Sequence, residues 1–212
     1  MSVSKCSGLM TISKFKLRKE RTASLPKGKD YLTYNSFSDV TFYAEFGINR
    51  KILMHDIVVE GVRIRLINTH FSPYEEFRQL RRKQAREVKR NFDKKGNFDV
   101  AILALDMNDP PMVSWETKKW TPAYKVLNEE VGFSDGFNNG YNPITYADPN
   151  NSWSGNTDEE PQTLDYIMIK DQRGKKTSKF VMFKFEDLKT ESGISFSDHN
   201  SVTATIKIED RE

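Results

Sequence analysis

The patterning of this chain calls for an α+β fold in which two β-sheets pack as a sandwich with helices outside. Short runs of alternating apolar and polar residues recur along most of its length, largely as antiparallel meanders. One stretch repeats apolar residues every three to four positions instead, as a helix facing a core does. The chain has 212 residues, 37% hydrophobic and 12% aromatic, enough for one substantial core. A single domain over 1–212 is therefore expected, with sheets and helices in layers.

In order, Leu9 to Ile12 is a brief strand-like run, followed by the basic stretch Lys14–Arg21. Val40 to Phe46 alternates and is rich in aromatic and β-branched residues. After the turn Gly47-Ile48-Asn49, Lys51 to Val59 forms a second run, and Glu60-Gly61 connects tightly into Val62 to Thr69. There Val62, Ile64 and Leu66 share one face and Arg63 and Arg65 the other. From Pro73 to about Asn91 the period becomes helical through Phe77, Leu80, Gln84, Val88 and Phe92. Arg81, Arg82, Arg86, Lys89 and Arg90 are assigned to the opposite, solvated face. Val100 to Leu105 is a buried strand, and a helix is expected around Glu116 to Glu130. The long irregular region from Gly132 to Gln162 has the length of a functional loop. Leu164 to Lys170, Phe180 to Phe185 and Val202 to Ile208 close the chain as strands.

Thirty-three basic against 30 acidic side chains give a net charge of +3. That balance suits a phosphate-bearing substrate or an anionic surface and demands neither. The single cysteine, Cys6, excludes an intrachain disulfide and fits a reducing compartment. No apolar run approaches the roughly 18–20 residues of a membrane span.

Four polar clusters sit where apolar strands stop: Asn68-Thr69-His70, Asp106-Met107-Asn108, Asp165-Tyr166 and Ser197-Asp198-His199. Rigid strand ends with loops reaching over them are good anchors for a site. The residue types suit phosphodiester hydrolysis, which needs a base for water, donors on the phosphoryl oxygens and help for the departing oxygen. Two of the three histidines, His70 and His199, fall in the clusters, while His55 lies within a strand and reads as structural. Asp106 and Asn108, two apart, share a side and suit Mg²⁺ and phosphate. Asp198 adjoins His199, although direct pairing needs a bend because adjacent strand residues diverge. Singly, each cluster also reads as a turn, a cap or a strand anchor; their order is the stronger signal.

In that order, with Ile67-Asn68-Thr69-His70, Ile102 to Asn108, Leu164-Asp165-Tyr166-Ile167 and Ser197-Asp198-His199, the chain resembles the endonuclease/exonuclease/phosphatase superfamily. Within it the likeness is to neutral, Mg-dependent sphingomyelinases. Gly8-Leu9 followed by Ser13-Lys14, Arg81-x-x-Gln84, and Thr145-Tyr146-Ala147-Asp148-Pro149-Asn150-Asn151 are similar to motifs of those enzymes. The resemblance implies a deoxyribonuclease-like, four-layer two-sheet sandwich and a Mg²⁺ cofactor. It implies His199 as the general base, with Asp198 supporting it or bordering the metal, and His70 contacting phosphate and assisting the leaving group. Asp106 and Asn108 would orient nucleophile and phosphoryl oxygens, Asp165 would join their network, and Asp198, His199 and Asp106 would border the metal. The implied substrate is a phospholipid such as sphingomyelin, met at a membrane surface and cleaved to phosphocholine and ceramide.

The family also has two earlier blocks, an asparagine at the first strand end and a glutamate that is the principal metal ligand. Here Ser7 begins the Ser-Gly-Leu strand, so an N-terminally truncated domain lacking the first strands is expected, with impaired Mg²⁺ binding. Leu105 replaces a usual glycine, either crowding the pocket or accommodated by its strand. Phe71-Ser72-Pro73 also departs from the usual continuation. A nuclease or inositol-phosphate phosphatase of the same superfamily is the alternative activity, and a noncatalytic binding relative the alternative class. The expected location is cytoplasmic or membrane-peripheral, or secreted where an upstream leader exists.

Overall fold

The computed structural model describes residues 9–27, 50–73, 77–93, 97–114, 119–136, 144–155, 160–172 and 176–211. Its centre is a six-stranded sheet in the order β1-β2-β3-β4-β8-β7. β1 (Arg18–Ser24), β2 (Lys51–Val59) and β3 (Val62–His70) run antiparallel. The β2–β3 hairpin turns at Glu60 and Gly61, both at positive φ (50° and 81°), the primed geometry that matches strand twist. β4 (Val100–Asp106) lies parallel to β3 and β8 (Asp165–Asp171) antiparallel to β4. The two-residue β7 (Ser134–Asp135) forms the far edge.

α1 (Arg78–Asp93) connects β3 to β4. A small ribbon, β5 (Met112–Ser114) with β6 (Lys119–Trp120), precedes α2 (Pro122–Lys125), which continues as a π-helix over Val126–Val131. Pro122, pre-set for a first helical turn, starts α2 later than the expected Glu116. Ala85, Val88 and Phe92 of α1 and Ala123, Tyr124 and Leu127 around α2 bury against one face of the sheet. That face is set by register: Ile52 and Met54 on β2, Ile67 on β3, Leu103 and Leu105 on β4, Tyr166 and Met168 on β8.

The same face contains Arg65, which alternation assigned to the polar side. It is fully buried. Asp56, directly opposite across the β2–β3 ladder, binds it through two hydrogen bonds of 2.9 and 3.3 Å. Phe98 stacks 4.4 Å from its guanidinium. Pairing and stacking offset the desolvation that would otherwise push an arginine out. Arg81 is likewise buried rather than solvated, because Asp109 lies 3.1 Å away and Ser72 O accepts from Nη1.

β9 (Lys176–Glu186) and β10 (Ser201–Asp210) pair as a second sheet that packs against β8. A bulge at Val181 lets Phe180, Phe183 and Phe185 line up, with ring centroids 5.2 and 5.1 Å apart in sequence. Among the described residues β10 pairs on one edge only, and Ala104 in mid-β4 is exposed on the face away from the helices. Leu9–Ile12 is not a strand; the Asn68 side-chain amide holds it by donating to Met10 O at 3.1 Å. β1 instead uses part of the basic stretch. The expected strand Val40–Phe46 lies outside the described residues.

Candidate active site

Strand register builds the site. His70 pairs with Asp106 across β3–β4, and Asp106 pairs with Asp165 across β4–β8. Three polar side chains thus stand in a row on adjacent strand ends. Backbone bonds from Phe71 N to Asp106 O (2.9 Å) and Met107 N to Leu164 O (2.8 Å) pin the ladder just beyond them. The chain then turns through Asn108 at φ 51°, a left-handed conformation that asparagine tolerates better than most residues. Its backbone N–H donates to Asp106 Oδ1 at 2.9 Å, and its side-chain Nδ2 lies 3.0 Å from Phe71 O and 2.9 Å from His70 Nε2.

His199 arrives from the loop before β10. A bridge to Tyr146 fixes its backbone, and the Tyr146 ring lies 4.9 Å from the imidazole. Its Nδ1 is 2.7 Å from Asp165 Oδ2. Thr145 ties this loop to the strand row, accepting at Oγ1 from Leu164 N and Asp165 N. Asp198 takes no part in holding the ring: it is exposed at the cleft edge and accepts from Ser197 Oγ at 3.3 Å. The orienting carboxylate is therefore Asp165, the remote residue, and not the sequence neighbour.

Burial opposes charge on His199, but the Asp165 hydrogen bond and the nearby Asp165, Asp106 and Asp198 charges prevail and raise it to about 9. Burial, then Arg50 and His199, push His70 down to about 4. Burial and the Asp165 charge push Asp106 up to about 7. The hydrogen bonds give the same assignment. One Asn108 amide hydrogen goes to Phe71 O, so the other points at His70 Nε2 and makes that nitrogen an acceptor. Asp106 Oδ2 lies 3.1 Å from the same nitrogen.

Asp106, Asp165 and His199 each offer a ligand atom within 4.8 Å of the others. Two close carboxylates, one of them pushed up by burial and by the other's charge, fit a divalent cation, whose binding would relieve that repulsion. Asp198 is outside this group.

An open cleft of about 720 Å³ lies over the row, lined by Arg50, His70, Asp106, Asn108, Tyr146 and His199 among others. Leu105 is not in it. Its side chain is buried in the core on the helix side of β4, so it does not crowd the pocket. Beside the cleft, Trp153, Leu188, Ile194 and Phe196 are exposed, Phe196 by 72%. They form one built platform. Ser152 and Ser195 exchange two backbone-to-hydroxyl bonds (3.0 and 2.7 Å), Trp153 Nε1 donates to Ser195 O, and Phe196 N donates to Leu188 O. Asn151 Nδ2 donates to Ser197 O at 2.9 Å, coupling the platform to the segment that carries His199.

No family model matches the sequence, and no curated protein matches it. Solved structures do. A structure of D. rerio TDP2 complexed with single strand DNA product aligns with a TM-score of 0.64 at 16% identity, covering 91% of this chain and 68% of that one. The endonuclease/exonuclease/phosphatase from Bacteroides vulgatus gives 0.63 at 17% identity, covering 92% and 67%. Beta toxin from Staphylococcus aureus gives 0.53 at 23% identity, covering 74% and 57%. The chain has the endonuclease/exonuclease/phosphatase fold.

It spans about two thirds of the first two structures' length and less of the third. Within this fold five of the six residues expected from sequence line one cleft, Asp198 at its rim, and the sixth, Asp165, holds His199 and pairs with Asp106. Sequence reasoning did not single out Arg50 or Gln162, which line the same cleft. Neither carries a sequence signal: Arg50 is one cation among many, and Gln162 earns its place only through its bridge to Tyr146.

Proposed function

We propose that the chain is a metal-assisted phosphodiesterase acting at a lipid surface. Its substrate would be sphingomyelin or a related phospholipid, cleaved to the phosphorylated headgroup and the lipid alcohol. The observation that carries the chemistry is the His199–Asp165 pair at 2.7 Å facing the His70–Asp106–Asn108 cluster across one cleft. With Nδ1 held by Asp165, the other imidazole nitrogen takes a proton from water once the ring has given up its charge. The water oxygen bonds to phosphorus as the bond to the lipid oxygen breaks. The leaving oxygen departs beside His70 and takes its proton from solvent in the open cleft. The Asn108 amide fixes the His70 ring at the cleft where the phosphoryl group would lie.

A divalent cation at Asp106 and Asp165, Mg²⁺ by the resemblance, would neutralise phosphate charge and polarise a phosphoryl oxygen. The lipid part of the reading rests on the platform. Four large apolar side chains held rigidly next to the catalytic segment form an exposed patch of the kind that meets another apolar phase. Trp153, its indole N–H satisfied internally, suits an interface. A second reading, cleavage of a nucleic-acid strand, draws on the arginines of α1 and on the likeness to TDP2.

The test is phosphocholine release from sphingomyelin vesicles with Mg²⁺ or chelator, for the chain, His199→Ala and the double variant Trp153→Ser/Phe196→Ser. Turnover that needs metal and His199, and that the double variant loses on vesicles but keeps on bis(p-nitrophenyl) phosphate, supports the proposal. Cleavage of single-stranded DNA with none of lipid transfers it to the second reading. Inactivity on all substrates favours a binding relative.

A further inference from the structure

We propose that Arg50 is a substrate-binding residue that holds the phosphoryl group by its guanidinium, giving the cleft a phosphate site that works without a metal ion. The inference rests on the phosphodiesterase reading and adds to it a residue that no motif supplies. Arg50 immediately precedes β2. Its carbonyl accepts from Leu25 N at 2.9 Å, and the next carbonyl, Lys51 O, accepts from Thr69 Oγ1 at 2.9 Å. The backbone is therefore pinned on both sides to the neighbouring strands. Ile52 pairs with Thr69 in the β2–β3 ladder, so continuing the register sets Lys51 opposite His70 and Arg50 opposite Phe71, at the end of the sheet where the polar row stands.

The side chain lines the same cleft as His70, Asp106, Asn108 and His199. Its charge is felt by both His70 and Asp106, adding to the burial that lowers the first and drawing the second down against its burial. Those effects place the guanidinium within electrostatic reach of the reacting groups. The rest of the cluster gives phosphate little else to hold. His70 is neutral, Asp106 and Asp165 are acids, and the Asn108 amide hydrogens already point at Phe71 O and His70. Arg78 and Arg81 also line the cleft but pair with Asp109 at 3.7 and 3.1 Å, and His199 is committed to Asp165 and must give up its charge to act as a base. An arginine supplies a permanent charge and a planar fork matched to two phosphate oxygens, and it does not titrate in the working range. In a site where, among the described residues, two aspartates and one histidine approach a metal position, such a fixed cation carries part of the phosphate binding that a metal would otherwise carry alone.

The experiment is a ³¹P NMR titration of inorganic phosphate in the presence of chelator, with the full chain and the variants Arg50→Lys and Arg50→Gln. The wild type is expected to bind. Arg50→Gln should weaken binding at least about tenfold, and Arg50→Lys should fall between, keeping charge without the fork. Circular dichroism confirms that the variants are folded. Equal binding by the wild type and a folded Arg50→Gln variant overturns the inference while leaving the phosphate cleft intact. No binding by the wild type overturns it too and, if metal does not restore binding, overturns the phosphodiesterase reading with it.

Discussion

Asp165→Asn tests the centre of the site without asking for catalysis. His199 is raised from 6.5 to about 9, chiefly by its bond to Asp165 against the burial that would lower it. Raising an imidazole that far corresponds to about 3 kcal/mol of preference for the charged ring. The side chain is 23% exposed, so much of that preference survives solvent screening. A folded-state value above the unfolded one gives stability that is fully present below pH 6.5 and lost as pH rises through 9. Asp106, raised from 3.8 to about 7, loses stability in the same direction but at lower pH, between those two values. The interval from pH 7.5 to 9 therefore isolates His199. In metal-free buffer, the His199 ring should titrate near 9 by NMR, and denaturant unfolding should lose roughly 2 kcal/mol across that interval. Asp165→Asn should bring the midpoint down below 7 and flatten the stability curve. A wild-type midpoint at or below 6.5, or the same slope in both proteins, would refute the geometry.

Arg65→Met should cost about 3–5 kcal/mol in denaturant unfolding because it strands the Asp56 carboxylate in the core, while Arg65→Met with Asp56→Leu should cost far less. A single variant as stable as the wild type would show that the pair is not buried. Leu105→Ala should cost about 2–5 kcal/mol, as other buried leucines do, with no gain in turnover. Faster turnover on opening that position would mean that Leu105 faces the cleft after all.

The strand pattern was legible wherever burial alone decides it. β2, β3, β4, β8, β9 and β10 fall within a few residues of the apolar runs that predict them. Failures have physical causes. Arg65 broke the alternation because its partner, Asp56, is nine residues away and no local pattern announces a cross-strand ion pair. β1 was hidden because its charged residues lie at a sheet edge where alternation is not enforced. The candidate site residues were legible as clusters, yet their roles were not. Asp198 was the natural guess for orienting His199 from adjacency, and Asp165 does it through tertiary structure. Arg50 was invisible for the same reason, since nothing in a single basic residue tells which cleft it lines.

What turns those clusters into one site is register. Asp106 faces His70 on one side and Asp165 on the other because β3, β4 and β8 are paired at those residues. Shifting β8 by one residue would rotate Asp165 into the helix-side core and put Tyr166 toward the cleft, exchanging a carboxylate for a ring on each face. That exchange is resisted from the core. Tyr166 is fully buried with its hydroxyl placed between Asp109 O (2.9 Å) and Thr163 O (3.0 Å), and Met168 packs beside it with no exposure. The apolar partners of β8 therefore fix Asp165 in place, and Asp165 fixes His199. Asn108 is held from the same strand ends, since its left-handed turn is closed by Asp106 Oδ1 and its amide by Phe71 O. The chemistry at the cleft is set by hydrophobic packing on the opposite side of the sheet, so a core substitution that loosens β8 should disturb the His199 titration before it unfolds the chain.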